Sequence, residues 1–248
     1  MVKNEIIGVV TDPGSSLTPE AARSRGVMVL DPTVPLEPQY RRMLEHYDRL
    51  LSLHASPLLC PMHETATQAA AELTDRVRVV NTTLGSAGLG AAALRAAEWI
   101  ARGADEIETL RELERLGREG RFYLLTQDLD QLVKNRMLPA LAGRFGRALG
   151  LWALIGLEKG RFQSPKPVRE GKVLSTLIGL LKRQFGSQRL RVRATLGEVS
   201  PQLRDEVKQA LERELHLEAG SLAPMDPVAR MRVGDRALAV FAYPVPAS

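Results

Sequence analysis

Residues 6–16 read IIGVVTDPGSS, an apolar run that ends in a loop of small polar residues. The run at 6–10 predicts a buried strand, because it offers no polar side chain to solvent. Thr18, Pro19 and Glu20 then predict a helix start, with a capping hydroxyl, a proline in the first turn and an acid near the helix N-terminus. A strand, a polar loop and a helix in this order form the unit from which parallel sheets are built.

The alternation of strands and helices continues to about residue 120. Apolar runs predict three more strands at 27–30, 50–53 and 77–80, and helices are predicted at 64–73, 87–102 and 105–118. This order predicts a parallel sheet covered by helices, an α/β/α domain at residues 1–120.

From residue 121 the pattern changes to helices packed on a mostly antiparallel sheet. Strands are predicted at 121–125, 152–157, 189–196, 228–233 and 237–243, and helices at 129–134, 138–149, 168–185 and 201–215. Lys159 and Gly160 predict a hairpin turn that leads to Phe162, and Ser200 is the expected cap of the last helix. The sequence therefore predicts an α/β protein with a second, α+β domain at residues 121–248.

The composition is that of an ordinary globular protein. Of the 248 residues 44% are hydrophobic. The net charge is +5, and the sequence contains no run of five like charges. Cys60 is the only cysteine, which excludes an internal disulfide and favours a reducing compartment, so we expect a cytoplasmic location. The first apolar run is too short for a signal core, and no apolar stretch approaches the roughly 20 residues of a membrane span.

Small polar residues follow the predicted strands of the first domain, at 11–16, 54–56 and 81–83. In a parallel sheet such loops meet at the carboxyl ends of the strands, beside helix N-termini. Free backbone N–H groups and the helix dipole there favour a carboxylate or a phosphate. The alternative is that these residues only cap helices and form turns.

Other ligand classes find little support in the sequence. Residues 85–90 have the spacing G-x-x-G-x-G, the reverse of the dinucleotide fingerprint, and no Lys-Ser or Lys-Thr pair completes a P-loop. No nucleic-acid-binding motif is present, and the few aromatic residues do not alternate with basic ones. We therefore expect no nucleotide cofactor and no nucleic-acid partner.

The stretch Cys60, Pro61, Met62 and His63 raises the question of a metal pair or a reactive thiol. A zinc site needs three or four ligands, and no second Cys or His pair has the spacing for them. A nucleophilic thiol would need His63 within reach and a third group to orient its ring. We expect no metal and no catalytic residue here, and an enzyme that uses Cys60 stays as a minor hypothesis.

Several motifs in order resemble the DegV family. Residues 9–17 are similar to the family's opening strand and Thr-Asp-Ser loop, and residues 51–56 to the strand that enters its Ser-Ser-x-Leu-Ser-Gly-Thr loop. Residues 80–90 are similar to the Val-Asp-Ser…Ser-x-Gly-x-Gly stretch, and 227–238 to the closing Gly-Pro-Val-Ile-Gly-x-His-Thr-Gly segment. The resemblance extends over nearly the whole chain.

The resemblance implies a two-domain fold that holds one long-chain fatty acid in an apolar tunnel between the domains. It also implies that the protein is not an enzyme and that it presents the lipid to a partner fatty-acid kinase. Burying about 14 methylenes at roughly 0.8 kcal/mol each would contribute on the order of 11 kcal/mol before costs. Ala92, Ala93 and Ala96 could leave room for the tail, or could instead pack tightly against the sheet.

The resemblance also suggests head-group residues, with some departures from the family pattern. Ser56 stands at the first Ser of the hydroxyl loop and Cys60 at a later one, where a thiol is a weaker donor; Ser15 belongs to the first polar loop. Arg232 stands at the family's His, where its guanidinium could bind a carboxylate or lie as a surface charge on an edge strand. The stretch 30–50 is too short for the family's Thr-Ser-Gln-Pro segment. A second hypothesis is therefore a divergent member that has lost the lipid and serves as an interaction module.

Overall fold

Two sheets organise the chain, one in each of two units, Met1–Arg118 and Glu119–Ser248. The computed structural model describes residues 5–57, 59–73, 75–137, 149–158 and 160–245. The two units are called unit 1 and unit 2.

Unit 1 is built on a parallel sheet of four strands. They are β1 (Ile7–Thr11), β2 (Val27–Val29), β3 (Arg49–His54) and β4 (Val77–Asn81), in the order β2-β1-β3-β4. Every pairing is parallel, and Thr11 of β1 is in register with Leu53 of β3. The predicted parallel sheet is confirmed, and its register brings the loops after β1 and β3 side by side.

Helices cover this sheet. They are α1 (Pro19–Ser24), α2 (Leu36–Met43), α3 (Met62–Ala71), α4 (Ala87–Ala101) and α5 (Glu106–Glu119). The side chain of Thr18 accepts a hydrogen bond from the backbone N–H of Ala21 at 3.2 Å, so the predicted cap of α1 is confirmed. The α2 and α3 helices share a core with Val10 and Leu50, while α4 packs against β1, β2 and β3.

The α2 helix was not predicted from the sequence. Pro35 precedes it and Pro38 lies in its first turn, so the stretch has the composition of a loop. Proline is tolerated in a first helical turn, where the backbone N–H has no helical partner. Leu36 and Tyr40 lie one turn apart and are both buried. They belong to the core that includes Val10 and Leu50 of the sheet, and this packing holds the helix on the sheet.

Unit 2 contains the larger sheet. Its strands are β5 (Arg121–Thr126), β6 (Leu151–Glu158), β7 (Arg161–Phe162), β8 (Lys166–Arg169), β9 (Leu190–Leu196), β10 (Leu217–Pro224) and β11 (Ala237–Pro244). Their order is β10-β9-β11-β5-β6-β7, with β8 also paired to β6. The β9–β10 pair is parallel and the other described pairs are antiparallel, as predicted for a mostly antiparallel sheet. Glu158 faces Arg161, which confirms the hairpin from β6 to β7.

Unit 2 also has the helices α6 (Leu129–Lys134), α7 (Val173–Phe185), α8 (Pro201–Glu214) and α9 (Pro227–Val233). Apolar residues of α7 and α8 share one core with β9 and β11. The hydroxyl of Ser200 accepts from the backbone N–H of Leu203 at 3.1 Å, so the predicted cap of α8 is confirmed.

Two predictions for unit 2 were wrong, and one strand was missed. The strand predicted at 228–233 is α9, because Asp226 caps it by accepting from Ala229 N at 2.8 Å and Pro227 starts its first turn. The helix predicted at 168–185 begins only at Val173, after strand β8. The β10 strand was missed because many of its side chains are partly or fully exposed. Most of the helix predicted at 138–149 lies outside the described residues.

None of the helices within the described ranges combines the length and the apolar character needed to cross a bilayer.

Candidate functional site

The carboxyl ends of β1 and β3 meet at a buried pair of ionisable side chains. Asp12 follows β1 and His54 ends β3, and neither is exposed. Asp12 Oδ2 accepts a hydrogen bond from Ala55 N at 3.0 Å and lies 3.4 Å from His54 Nδ1. Thr11 Oγ1 donates to the carbonyl of Leu53 at 3.0 Å, which ties the two strand ends together. The loop after β4 reaches the same edge, because Thr82 N and Thr82 Oγ1 donate to the carbonyl of His54 at 3.1 and 2.9 Å. The three polar loops that were expected to meet at this edge of the sheet therefore do so.

A 3-10 turn, Pro13–Ser15, follows β1 and packs against α4. Ser16 after the turn has a φ of 50° and Ser86 before α4 has a φ of 43°, both in a region that side chains other than glycine rarely occupy. Their hydroxyls lie 3.0 Å apart in a buried hydrogen bond. Two strained serines at a contact between loops are typical of a functional site, because the surrounding structure must compensate for the strain.

Three of the predicted head-group residues lie in unit 1. Ser15, Ser56 and Cys60 are 0%, 2% and 3% exposed. A Cβ atom added at Gly14 would lie 2.8 Å from Asp12 Oδ1 and 3.9 Å from Cys60 Cβ, so the turn, the carboxylate and the thiol converge at that glycine.

The hydrogen bonds of Ser15 and of the loop at Ser56 differ. The hydroxyl of Ser15 is buried and has no hydrogen-bond partner within the described residues. The carbonyl of Ser56 accepts from the backbone N–H groups of Leu59 and Cys60, at 2.8 and 3.0 Å, which closes the loop. A buried hydroxyl is normally hydrogen-bonded, so the Ser15 hydroxyl, like Asp12 Oδ1 and His54 Nδ1 at the same edge, could accept a partner from a ligand.

The fourth predicted head-group residue, Arg232, lies in unit 2. It is partly exposed on α9 and not on the edge strand considered from the sequence. Asn135 Nδ2 donates to its carbonyl at 2.8 Å, which fixes the backbone of α9 against the end of α6. Its contribution to a head-group site stays a prediction.

The three predicted tunnel residues lie on one helix. Ala92, Ala93 and Ala96 of α4 are 1%, 0% and 0% exposed, and α4 packs against β1 and β3. Their role beside a lipid tail stays a prediction.

A chain of hydrogen bonds behind the Asp12–His54 pair was not anticipated from the sequence. His54 Nε2 lies 2.8 Å from Ser52 Oγ, which lies 2.8 Å from the hydroxyl of Tyr40 on α2. Burial raises the pKa of Tyr40 to about 12, so its hydroxyl stays neutral. The sequence did contain one sign of this chain of hydrogen bonds: Ser52 and His54 are two residues apart at the end of a predicted strand and therefore lie on the same face of the sheet.

Metal binding finds no support in the described ranges, where no three His, Cys, Asp or Glu side chains gather around a possible ion.

Native Cys60 should react with a thiol reagent such as dithionitrobenzoate at least roughly tenfold more slowly than the unfolded chain. The reason is steric, because its side chain is 3% exposed. The reaction is followed by absorbance with and without guanidinium chloride. Equally rapid reaction of the native protein would instead support the hypothesis of a reactive thiol.

Comparison with known families decides the relationship. The family model described as "Uncharacterised protein, DegV family" matches residues 36–245. The chain belongs to the DegV family. The resemblance found in the sequence motifs is therefore confirmed.

Curated DegV relatives share part of their length with this chain. A DegV domain-containing protein of Deinococcus radiodurans is 33% identical over 162 residues, which is 64% of this chain and 58% of the relative. Another, from Streptomyces coelicolor, is 38% identical over 133 residues, which is 52% of this chain and 47% of the relative. The matches thus span about half the length of these relatives.

A solved structure confirms the DegV fold. It is described as "Fatty Acid Binding of a DegV family Protein from Thermus thermophilus" and matches with a TM-score of 0.84, covering 97% of this chain and 100% of that one. The two sequences are 24% identical, a level at which the likeness establishes the fold.

Proposed function

We propose that this DegV protein binds one long-chain fatty acid and carries it without transforming it. The observation that carries the proposal is the hydroxyl of Ser15, fully buried and without a hydrogen-bond partner in the described residues. A ligand oxygen would supply the missing partner. The Thermus thermophilus protein of the same fold is described as binding a fatty acid, which supports this class of ligand.

The carboxyl edge of the unit 1 sheet has the chemistry that a carboxylate needs. Ser15 and Ser56 provide hydroxyl donors, and Cys60 provides a weaker thiol donor. The fifteen-residue helix α4 begins at this edge and adds the positive end of its dipole. We include Arg232 in the proposed head-group set because a guanidinium binds a carboxylate through two parallel hydrogen bonds.

The lipid tail supplies most of the proposed affinity. About 14 methylenes at roughly 0.8 kcal/mol each would contribute on the order of 11 kcal/mol before the costs of ordering. We propose that Ala92, Ala93 and Ala96 lie beside the tail, since short side chains leave room for it. Presentation of the bound lipid to a partner fatty-acid kinase and a cytoplasmic location belong to the same proposal.

Replacing Ser56 by Ala should weaken oleate binding by about 1–3 kcal/mol, or roughly 5- to 150-fold in Kd, because a charge-assisted hydrogen bond is lost. Displacement of a fluorescent fatty acid from the delipidated protein measures the change. Ser24→Ala is the matched control, because Ser24 is an exposed serine of the same unit, and its replacement should leave Kd unchanged.

Native mass spectrometry of the purified protein provides the primary test. A mass increase equal to one fatty acid supports the proposal. A ligand-free mass, together with no binding of added palmitate or oleate, would contradict it.

A second candidate function follows from α2. The α2 helix occupies the stretch 30–50, where the family's Thr-Ser-Gln-Pro segment is missing, and its Tyr40 is fully buried. A DegV protein with a helix here could have lost the lipid and kept its surface for protein interactions. Failure to bind any fatty acid, with the fold intact by circular dichroism, would favour this function.

A further inference from the structure

A buried carboxylate lies beside the proposed head-group residues. Asp12 is 0% exposed, and only its Oδ2 atom is hydrogen-bonded, to Ala55 N. Its Oδ1 atom has no hydrogen-bond partner within the described residues and faces the turn at Gly14 that carries Ser15. A fatty-acid carboxylate bound to Ser15 would therefore lie close to a second carboxylate.

Two carboxylates cannot both stay ionised in one buried site unless a positive charge compensates for them. Asp12 makes no ion pair with Lys or Arg in the part of the chain that the structure describes. Its one ionisable partner there is His54, whose Nδ1 lies 3.4 Å from Asp12 Oδ2. Within unit 1, a proton on this pair would supply the compensation.

The surroundings of His54 allow it to gain a proton. Its Nδ1 is buried without a hydrogen-bond partner in the described residues, and its Nε2 lies 2.8 Å from Ser52 Oγ. Either Ser52 or Tyr40 can be the donor of the hydrogen bond that joins their hydroxyls. The chain can therefore offer His54 Nε2 a donor when the ring is neutral and an acceptor when it is an imidazolium.

The other ionisable groups around His54 do not carry a competing charge near neutral pH. They are His63 on α3, whose ring centroid is 6.1 Å from that of His54, and Tyr40 on α2. The pKa of His63 is lowered by burial and by repulsion from His54, so His63 stays neutral. Tyr40 is neutral because burial raises its pKa to about 12.

We infer that binding of a carboxylate at this site takes up one proton, which the Asp12–His54 pair holds beside the ligand. The inference rests on the proposed fatty-acid binding and adds its regulation. Since the bound state holds more protons than the free state, affinity increases as pH falls and decreases as pH rises. A local drop in pH would then favour loading, and a rise would favour release.

Calorimetry of dodecanoate binding to the delipidated protein tests the inference. Free dodecanoate is ionised at about pH 8 and brings no proton of its own, so any uptake is from solvent into the complex. Titrations in buffers of different ionisation enthalpy give the number of protons taken up, which should be close to one. Kd should rise as pH rises, approaching tenfold per pH unit where one full proton is taken up.

Variants identify the group that holds the proton. His54→Gln should reduce uptake to near zero, while His46→Gln, an exposed histidine of the same unit, should leave it unchanged. Tyr40→Phe keeps the imidazole but removes the acceptor that Ser52 needs when His54 holds two protons, so uptake should fall here too. This variant tests the inference even where His54→Gln does not fold.

The outcomes separate the two proposals. No binding of dodecanoate by the unmodified protein at any pH contradicts the proposed function. Binding with no proton uptake contradicts the proton coupling alone, and is the result expected if a cation balances the ligand by itself. Uptake that persists in both His54→Gln and Tyr40→Phe shows that the proton is held elsewhere and also overturns the inference.

Discussion

Replacing Leu181 by Ala should lower the free energy of unfolding of unit 2 by about 2–5 kcal/mol. Leu181 lies on α7, is 0% exposed, and belongs to the core that α7 and α8 share with β9 and β11. The truncation removes buried apolar surface and leaves a cavity that a well-packed core fills only in part. Urea denaturation followed by far-ultraviolet circular dichroism measures the change.

Leu180 supplies a matched control for this prediction. It is the preceding residue on the same helix but is only partly buried at the margin of the same core. Leu180→Ala should therefore cost clearly less than Leu181→Ala. Equal losses for the two variants would show that helix propensity, and not the core, determines the stability of α7.

Replacing Gly234 by Ala should destabilise unit 2 by about 2–4 kcal/mol. Gly234 ends α9 with a φ of 90° and a ψ of 168°, a conformation that only glycine adopts readily. An added Cβ would also lie 2.1 Å from Asp128 Cβ, so that side chain would have to move. Asp128 Oδ2 accepts from Arg236 N at 2.7 Å, and this bond would be weakened. Hydrogen exchange should show faster exchange at Arg236 and along β11.

Gly179 provides the opposite expectation from the same substitution. It lies inside α7, and the nearest atom to an added Cβ is the mobile end of Arg183, at 3.5 Å. Gly179→Ala should stabilise the helix by about 0.5–1 kcal/mol. A loss of stability in Gly179→Ala comparable to that in Gly234→Ala would contradict the argument from backbone conformation.

Much of the fold could be predicted because its strands are short apolar runs separated by capped helices. The caps Thr18 and Ser200 act as expected, and the four apolar runs of the first half became one parallel sheet. The errors occurred where local signals conflict with packing. Pro38 concealed α2, and the exposed side chains of β10 removed the apolar pattern that identifies a strand.

The candidate site was predicted only in part, for a related reason. Ser15 and Ser56 lie in polar loops that were expected to meet at the ends of parallel strands, while the family resemblance suggested Ser56 and Cys60 as head-group residues. The chain of Asp12, His54, Ser52 and Tyr40 was not found, because it depends on the register of β1 against β3 and on a helix that was not predicted. Ser52 stands between Leu51 and Leu53, and a single serine within an apolar run does not indicate from the sequence that it belongs to a polar network.

The position of β11 affects how the chain can fold as it leaves the ribosome. The β11 strand pairs with β9 on one side and with β5 on the other, and its Ala237 is in register with Thr126 of β5, more than a hundred residues earlier in the chain. A nascent chain therefore carries the β5 and β9 edges unpaired until the last strand of unit 2 has been made. Open strand edges and distant pairings slow folding and invite aggregation. Unit 1 completes its sheet within residues 7–81, so that sheet can form before β11 of unit 2 has been made.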